Sequence, residues 1–126
     1  MRRMLCLLAA AGALFASPAS AQNWTEVQRT KDGVVVYFDA ANTPRTGSRV
    51  RVTLRYVMPE TYNAAYGIAL TELDCAARTA RIVEMTNYRA GGEVVNRYDG
   101  TEPDPIREGT AWATVEQAVC TAPSGA

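Results

Sequence analysis

Histidine is absent from all 126 residues, and Lys31 is the only lysine. Without imidazole the chain lacks the commonest general base near neutral pH, the commonest transition-metal ligand, and every Ser-His or Cys-His nucleophile. Cysteine is scarce too, with Cys6, Cys75 and Cys120 the full set of three. Two thiols beyond the first six residues cannot supply the three or four protein ligands of a zinc site. They lie far apart, so no C-x-x-C redox pair exists. Beyond residue 21 no apolar run approaches the roughly 20 residues that a membrane-spanning helix needs. These absences argue against metal, cofactor and nucleophilic chemistry, and no cofactor is expected.

What is present at the start sets the compartment. Arg2 and Arg3 precede an apolar run from Met4 to Phe15, and "SPASAQ" places Ala19 and Ala21 in A-x-A register. This is the pattern of a secretory signal peptide over residues 1–21, cleaved before Gln22. Cys6 has almost no apolar segment ahead of it, so it is not expected to be a lipidated cysteine. Removing residues 1–21 from 126 leaves 105, one domain spanning 22–126. Taking Arg2 and Arg3 from the 13 basic residues leaves 11 against 13 acidic ones, a formal charge of −2. General affinity for nucleic acid or anionic membrane is not expected. The chain is expected in the periplasm, at the cell surface or outside the cell.

In an oxidising compartment, two widely spaced cysteines read most simply as a disulfide between Cys75 and Cys120, within one chain or between two. The rest of the chain reads as β-structure. "NWTEVQRT" and "VVVYFD" flank Lys31-Asp32-Gly33, where the D-G step supplies the positive φ of a hairpin. Val50, Val52, Leu54, Tyr56 and Met58 alternate with Arg49, Arg51, Thr53 and Arg55, the period of a strand half buried against a core. "IALTELDC", "ARIVEMTNY" and "VVNRY" follow as strands, while "AANTPRTGS", "ETYNAAYG" and "DGTEPDPIREG" read as connections. Thr110 is placed to cap a helix over "AWATVEQAVC", with Trp112, Val115 and Val119 on its packed face. The predicted fold is α+β: a single antiparallel sheet of five to six strands with one C-terminal helix packed on it and pinned by the disulfide.

The order of landmarks resembles the surface-adhesin protein E family of exported bacterial proteins. The matching pieces are the Trp24 strand, "VYFD", the Arg-rich strand, "LDC", an arginine beyond that cysteine, a Gly-rich turn, the "EGT" helix start and "AVC". The resemblance implies a sheet of about six strands with a C-terminal helix. It also implies a non-catalytic surface protein that binds matrix proteins such as vitronectin and laminin. Two features depart from the family's best-known pattern: the lipid-anchor signal is missing, and with Lys31 alone a lysine-dependent mode of plasminogen binding does not carry over.

Arginine's planar fork suits carboxylates, sulfates and phosphates, so Arg49, Arg51 and Arg55, on the face opposite Val50, Val52 and Leu54, form a candidate binding surface. The plain alternative is a solvated face with partners among Glu72, Asp74 and Glu84. Tyr62 and Tyr66 join the candidates because they fall in a segment read as a loop. Glu72 and Asp74 share a strand face, which leaves a small histidine-free hydrolase as the second reading, provided that they meet a tyrosine in a pocket. Gly91-Gly92 lacks the further glycine and the helix of a phosphate loop and is a turn. A homodimer through an exposed strand edge is a further expectation.

Overall fold

The computed structural model describes residues 21–121. The signal peptide expected over 1–21 therefore lies outside the described residues except for Ala21. The strands are β1 (Trp24–Arg29), β2 (Val35–Asp39), β3 (Arg45–Thr46), β4 (Arg49–Val57), β5 (Tyr66–Asp74), β6 (Thr79–Tyr88), β7 (Val94–Asp99) and β8 (Asp104–Pro105), followed by helix α1 (Ala111–Cys120). Six of them form one antiparallel sheet in the order β1-β2-β4-β5-β6-β7, which is also their order in the chain. The two-residue strands β3 and β8 pair with β4 and β6, inside segments that the sequence reads as irregular. Pro44 does not prevent the first of these, because proline tolerates a strand edge and its carbonyl still accepts from the Arg51 amide at 2.9 Å.

The period-2 pattern of β4 is realised as predicted. Val50, Val52 and Leu54 are buried, while Arg49 and Arg51 are exposed. Opposite them on β5 stand Leu73, Thr71 and Ala69, so the two strands carry the centre of the core. Thr71 is polar and fully buried, but its hydroxyl donates to the Val52 carbonyl at 2.7 Å, which removes the desolvation cost of an unpaired group. The predicted D-G turn holds, with Gly33 at φ 87° between β1 and β2.

Helix α1 closes this side of the sheet. Thr110 has extended backbone and its hydroxyl oxygen accepts from the Ala113 amide at 3.2 Å, the expected N-cap. The residues it buries are Ala111, Val115 and Val119, and Val115 and Val119 pack with Val50, Val52, Leu54 and Leu73. Trp112 is not the innermost residue of the first turn. At a helical spacing of about 3.6 residues, Ala111 continues the stripe of Val115 and Val119, and Trp112 turns to the flank beside Ile82 and Ile106. Two ties fasten the helix to the turn between β5 and β6. One is the Cys75–Cys120 disulfide within the chain. The other is Arg78, at a left-handed φ of 54°, whose Nε and terminal nitrogen donate to the two carboxylate oxygens of Glu116 at 3.2 and 3.0 Å.

Asp39, the last residue of β2, is only 3% exposed. Burial pushes its carboxyl up, but it accepts from the Asn23 amide at 2.9 Å, the Asn42 side chain at 2.7 Å and the Ala41 amide at 3.1 Å. These bonds prevail and hold it below its ordinary value of 3.8. A carboxyl lowered in the folded state stabilises that state above the unfolded value and loses its contribution as pH falls through the folded one. The thermal midpoint is therefore expected to drop as pH is lowered from about 5 to about 2. Asp39→Asn should reduce that slope and lower the midpoint at neutral pH. A circular dichroism melt at each pH checks both, and an unchanged slope in the variant would remove Asp39 as its source.

Candidate functional site

Cross-strand partners share a face of an antiparallel sheet, so the register assigns the side away from the helix row by row. Arg51, Glu72 and Arg81 form one row, and Thr53, Leu70 and Glu84 the next. Then come Tyr37, Arg55, Ile68, Thr86 and Arg97, crossing five strands. Val35, Val57, Tyr66 and Tyr88 complete the far end. The helix lies on the opposite face, so this surface is charged at one end, aromatic and aliphatic at the other, and, among the described residues, covered by no helix between.

The arginine stripe divides in two. Arg49 and Arg51 reach Glu72 at 3.9 and 3.6 Å, and Arg81 from β6 reaches it at 3.3 Å. Three guanidinium groups thus share one carboxylate, whose side chain is 13% exposed. Asp74 sits beside them. Its carboxyl is held below the ordinary range chiefly by the Ala77 amide and then by the Ser48 hydroxyl, which with the Ala76 amide and the charge of Arg49 outweigh the opposing effect of desolvation.

Arg55 stands apart from that cluster. Its guanidinium carbon lies 5.0 Å from the centre of the Tyr66 ring and 6.0 Å from that of Trp24, within cation–π range of both. Tyr66 is in turn stacked on Tyr88, with ring centres 5.0 Å apart and planes inclined by 16°. Tyr66 is therefore the first residue of β5 and part of the sheet face, not of a loop. Tyr62 does lie in the β4–β5 connection, 44% exposed, where its amide donates to the Pro59 carbonyl at 3.0 Å. From sequence, Trp24 and Tyr88 read as core aromatics rather than as the lining of a ligand groove, and Tyr37 carries no signal of its own. They stand on three different strands, so their convergence depends on pairing across the sheet.

Glu72 and Asp74 line one shallow cavity with Arg49, Thr79, Arg81, Glu102 and Pro103, and no tyrosine joins them there. Both carboxylates are engaged, by arginines in one case and by amides and a hydroxyl in the other.

A six-stranded meander covered on one side by a cysteine-pinned helix, with no helix over the other among the described residues, defines a small α+β domain. The sequence profile of Surface-adhesin protein E matches residues 24–121, and the chain belongs to that family. No curated protein and no solved structure gives a significant match. Family membership implies an exported, cell-surface protein that acts by binding rather than catalysis. No helix among the described residues is long and apolar enough to cross a membrane.

Proposed function

We propose that this chain is an exported, non-catalytic binding protein that engages a protein partner through the open face of its sheet, with Arg49, Arg51, Arg55, Tyr66 and the neighbouring Tyr62 at the contact. The observation that carries this reading is the composition of that face. Arginine and aromatic side chains are the types enriched where proteins bind proteins, and here they share a surface that no helix covers. Family membership supports matrix proteins such as vitronectin or laminin as the partner class. The proposed location is the cell surface, reached by way of the signal peptide.

The test is binding of the purified protein to immobilised vitronectin and laminin, using the parent chain, Arg49→Glu/Arg51→Glu and Ile68→Arg. Ile68 lies at the centre of the face, so its replacement obstructs contact there while retaining every arginine. At least a tenfold loss is expected for each variant, and unchanged binding by Ile68→Arg would remove the face from consideration. Protease shaving of intact cells accompanies it, since loss of the protein only after the outer membrane is opened would make it a periplasmic accessory protein. A second copy is proposed to pair along β7, an outer strand whose Val94 and Tyr98 are 58% and 52% exposed.

A further inference from the structure

We propose that Arg55 is a receptor for a single carboxylate, and that the segment it recognises is an acidic side chain flanked by apolar residues on a partner protein. This rests on the reading of the open sheet face as the binding surface, and it specifies what that face selects.

The inference begins with an imbalance of charge partners. Arg49, Arg51 and Arg81 share Glu72, and Arg97 binds Glu84 at 3.1 Å. Glu26, which stands across from Tyr37, is taken by Arg29 at 2.7 Å. Among the described residues no carboxylate forms an ion pair with Arg55, although it occupies the middle of the face. Its Nε is shut off from water and has no hydrogen-bond partner. Its cross-strand neighbours, Tyr37 and Ile68, carry no charge.

A buried Nε–H left unpaired is costly, although the Arg55 side chain as a whole is only half-buried. The rings of Trp24 and Tyr66 offset part of that cost through their electron-rich faces, yet they supply no oxygen acceptor. A carboxylate would supply acceptors to the two terminal nitrogens, in the forked geometry that arginine's planar donors match. The surrounding rings hold water away, which strengthens the attraction beyond that of a solvated pair. Trp24, Tyr37, Arg55 and Val57 already line a shallow depression of about 230 Å³, so the incoming group has a seat. Ile68 and Leu70 lie beside it on β5 and favour apolar flanks.

The same pattern disfavours a polyanion. A sulfated chain needs several free cations in a row, and here the next arginines are bound to Glu72 with Asp74 alongside. One unpaired cation set in apolar surroundings fits one carboxylate.

Trp24 makes the site observable. In a Trp112→Phe chain it is the sole tryptophan, and its emission reports occupancy beside Arg55. The probe is a blocked pentapeptide of alternating leucine and glutamate, compared with its glutamine counterpart and with a heparin-derived oligosaccharide. A saturable change in Trp24 emission is expected with the glutamate peptide, and at least tenfold weaker binding with the glutamine peptide. Arg55→Gln should lose at least tenfold for the glutamate peptide alone. Arg55→Lys should fall between, because it keeps the charge without the fork. The peptide comparison uses an unaltered Arg55 and stands even where a variant fails to fold. Equal affinity for the two peptides, no response to either, or tighter binding of the oligosaccharide would each overturn the proposal. Its failure is separable from that of the face reading: if Ile68→Arg abolishes vitronectin or laminin binding while Arg55→Gln preserves it, the face stands and the carboxylate receptor falls.

Discussion

Removing the Cys75–Cys120 bond, by a Cys75→Ala/Cys120→Ala pair or by reduction, is expected to lower stability by about 4 kcal/mol. The two residues are 45 apart, and in the chain-entropy account a closed loop of that length restricts the unfolded chain by that amount. For a domain of about 100 residues this corresponds to a fall of roughly 20 °C in the melting midpoint. It is also a large share of the 5–15 kcal/mol that holds a typical domain together. The loop contains β6, β7, β8 and α1, so the bond constrains about half of the domain. Arg78–Glu116 does not replace it, because the Arg78 side chain is 67% exposed and exposed ion pairs contribute about 1 kcal/mol at most. Urea unfolding of the double variant beside the parent measures the difference. A loss under about 1 kcal/mol would mean that the helix is held by packing alone.

The second large effect is expected at Leu73, two residues before the bridged cysteine. Leu73 is 1% exposed and packs in the cluster that includes Val50, Val115 and Val119. Leu73→Ala should cost about 3 kcal/mol, the sum of lost transfer energy and of a void that the sheet and helix cannot close. Leu70 on the same strand is the internal control, since it lies on the open face and is half-buried. Leu70→Ala leaves no enclosed cavity and should cost about 1 kcal/mol or less. Equal losses at the two positions would contradict the division of β5 into a packed and an open face. Because Leu73 and the disulfide hold the same helix, the combined variant should depart from additivity.

Much of the architecture was legible from the sequence because it depends on local rules. The alternation from Val50 to Met58 can only be satisfied by a strand with one buried side, Asp32-Gly33 can turn where few pairs can, and Thr110 stands where a helix needs an acceptor. The pairing of Cys75 with Cys120 followed from compartment and count. What escaped depended on distant neighbours. Tyr66 read as loop because "TYNAAYG" has no period of its own, and only pairing with Val57 and Tyr88 makes it a strand residue. β8 is two residues long and includes Pro105, so its place is set by Thr79 and Ala80 on β6 rather than by propensity. The separation of Arg55 from Arg49 and Arg51 was hidden for the same reason. All three sit at equivalent strand positions, and the difference lies in whether the next strands bring Glu72 or a pair of aromatic rings.

The strand order β1-β2-β4-β5-β6-β7 has a bearing on how the molecule comes into being. Each new long strand can join the edge of the one just made, so the sheet can grow in step with delivery of the chain from its N-terminus, without waiting for remote partners. The helix is different, for it is the last element to arrive. Until residues 111–120 emerge, Val50, Val52, Leu54 and Leu73 face solvent, and Cys75 has no Cys120 to meet. Any sheet paired before that point would present one greasy side and a free thiol, the condition in which chaperone or protease has its opportunity. Arrival of the final ten residues ends that exposure, and oxidation of the thiols makes the closure hard to reverse.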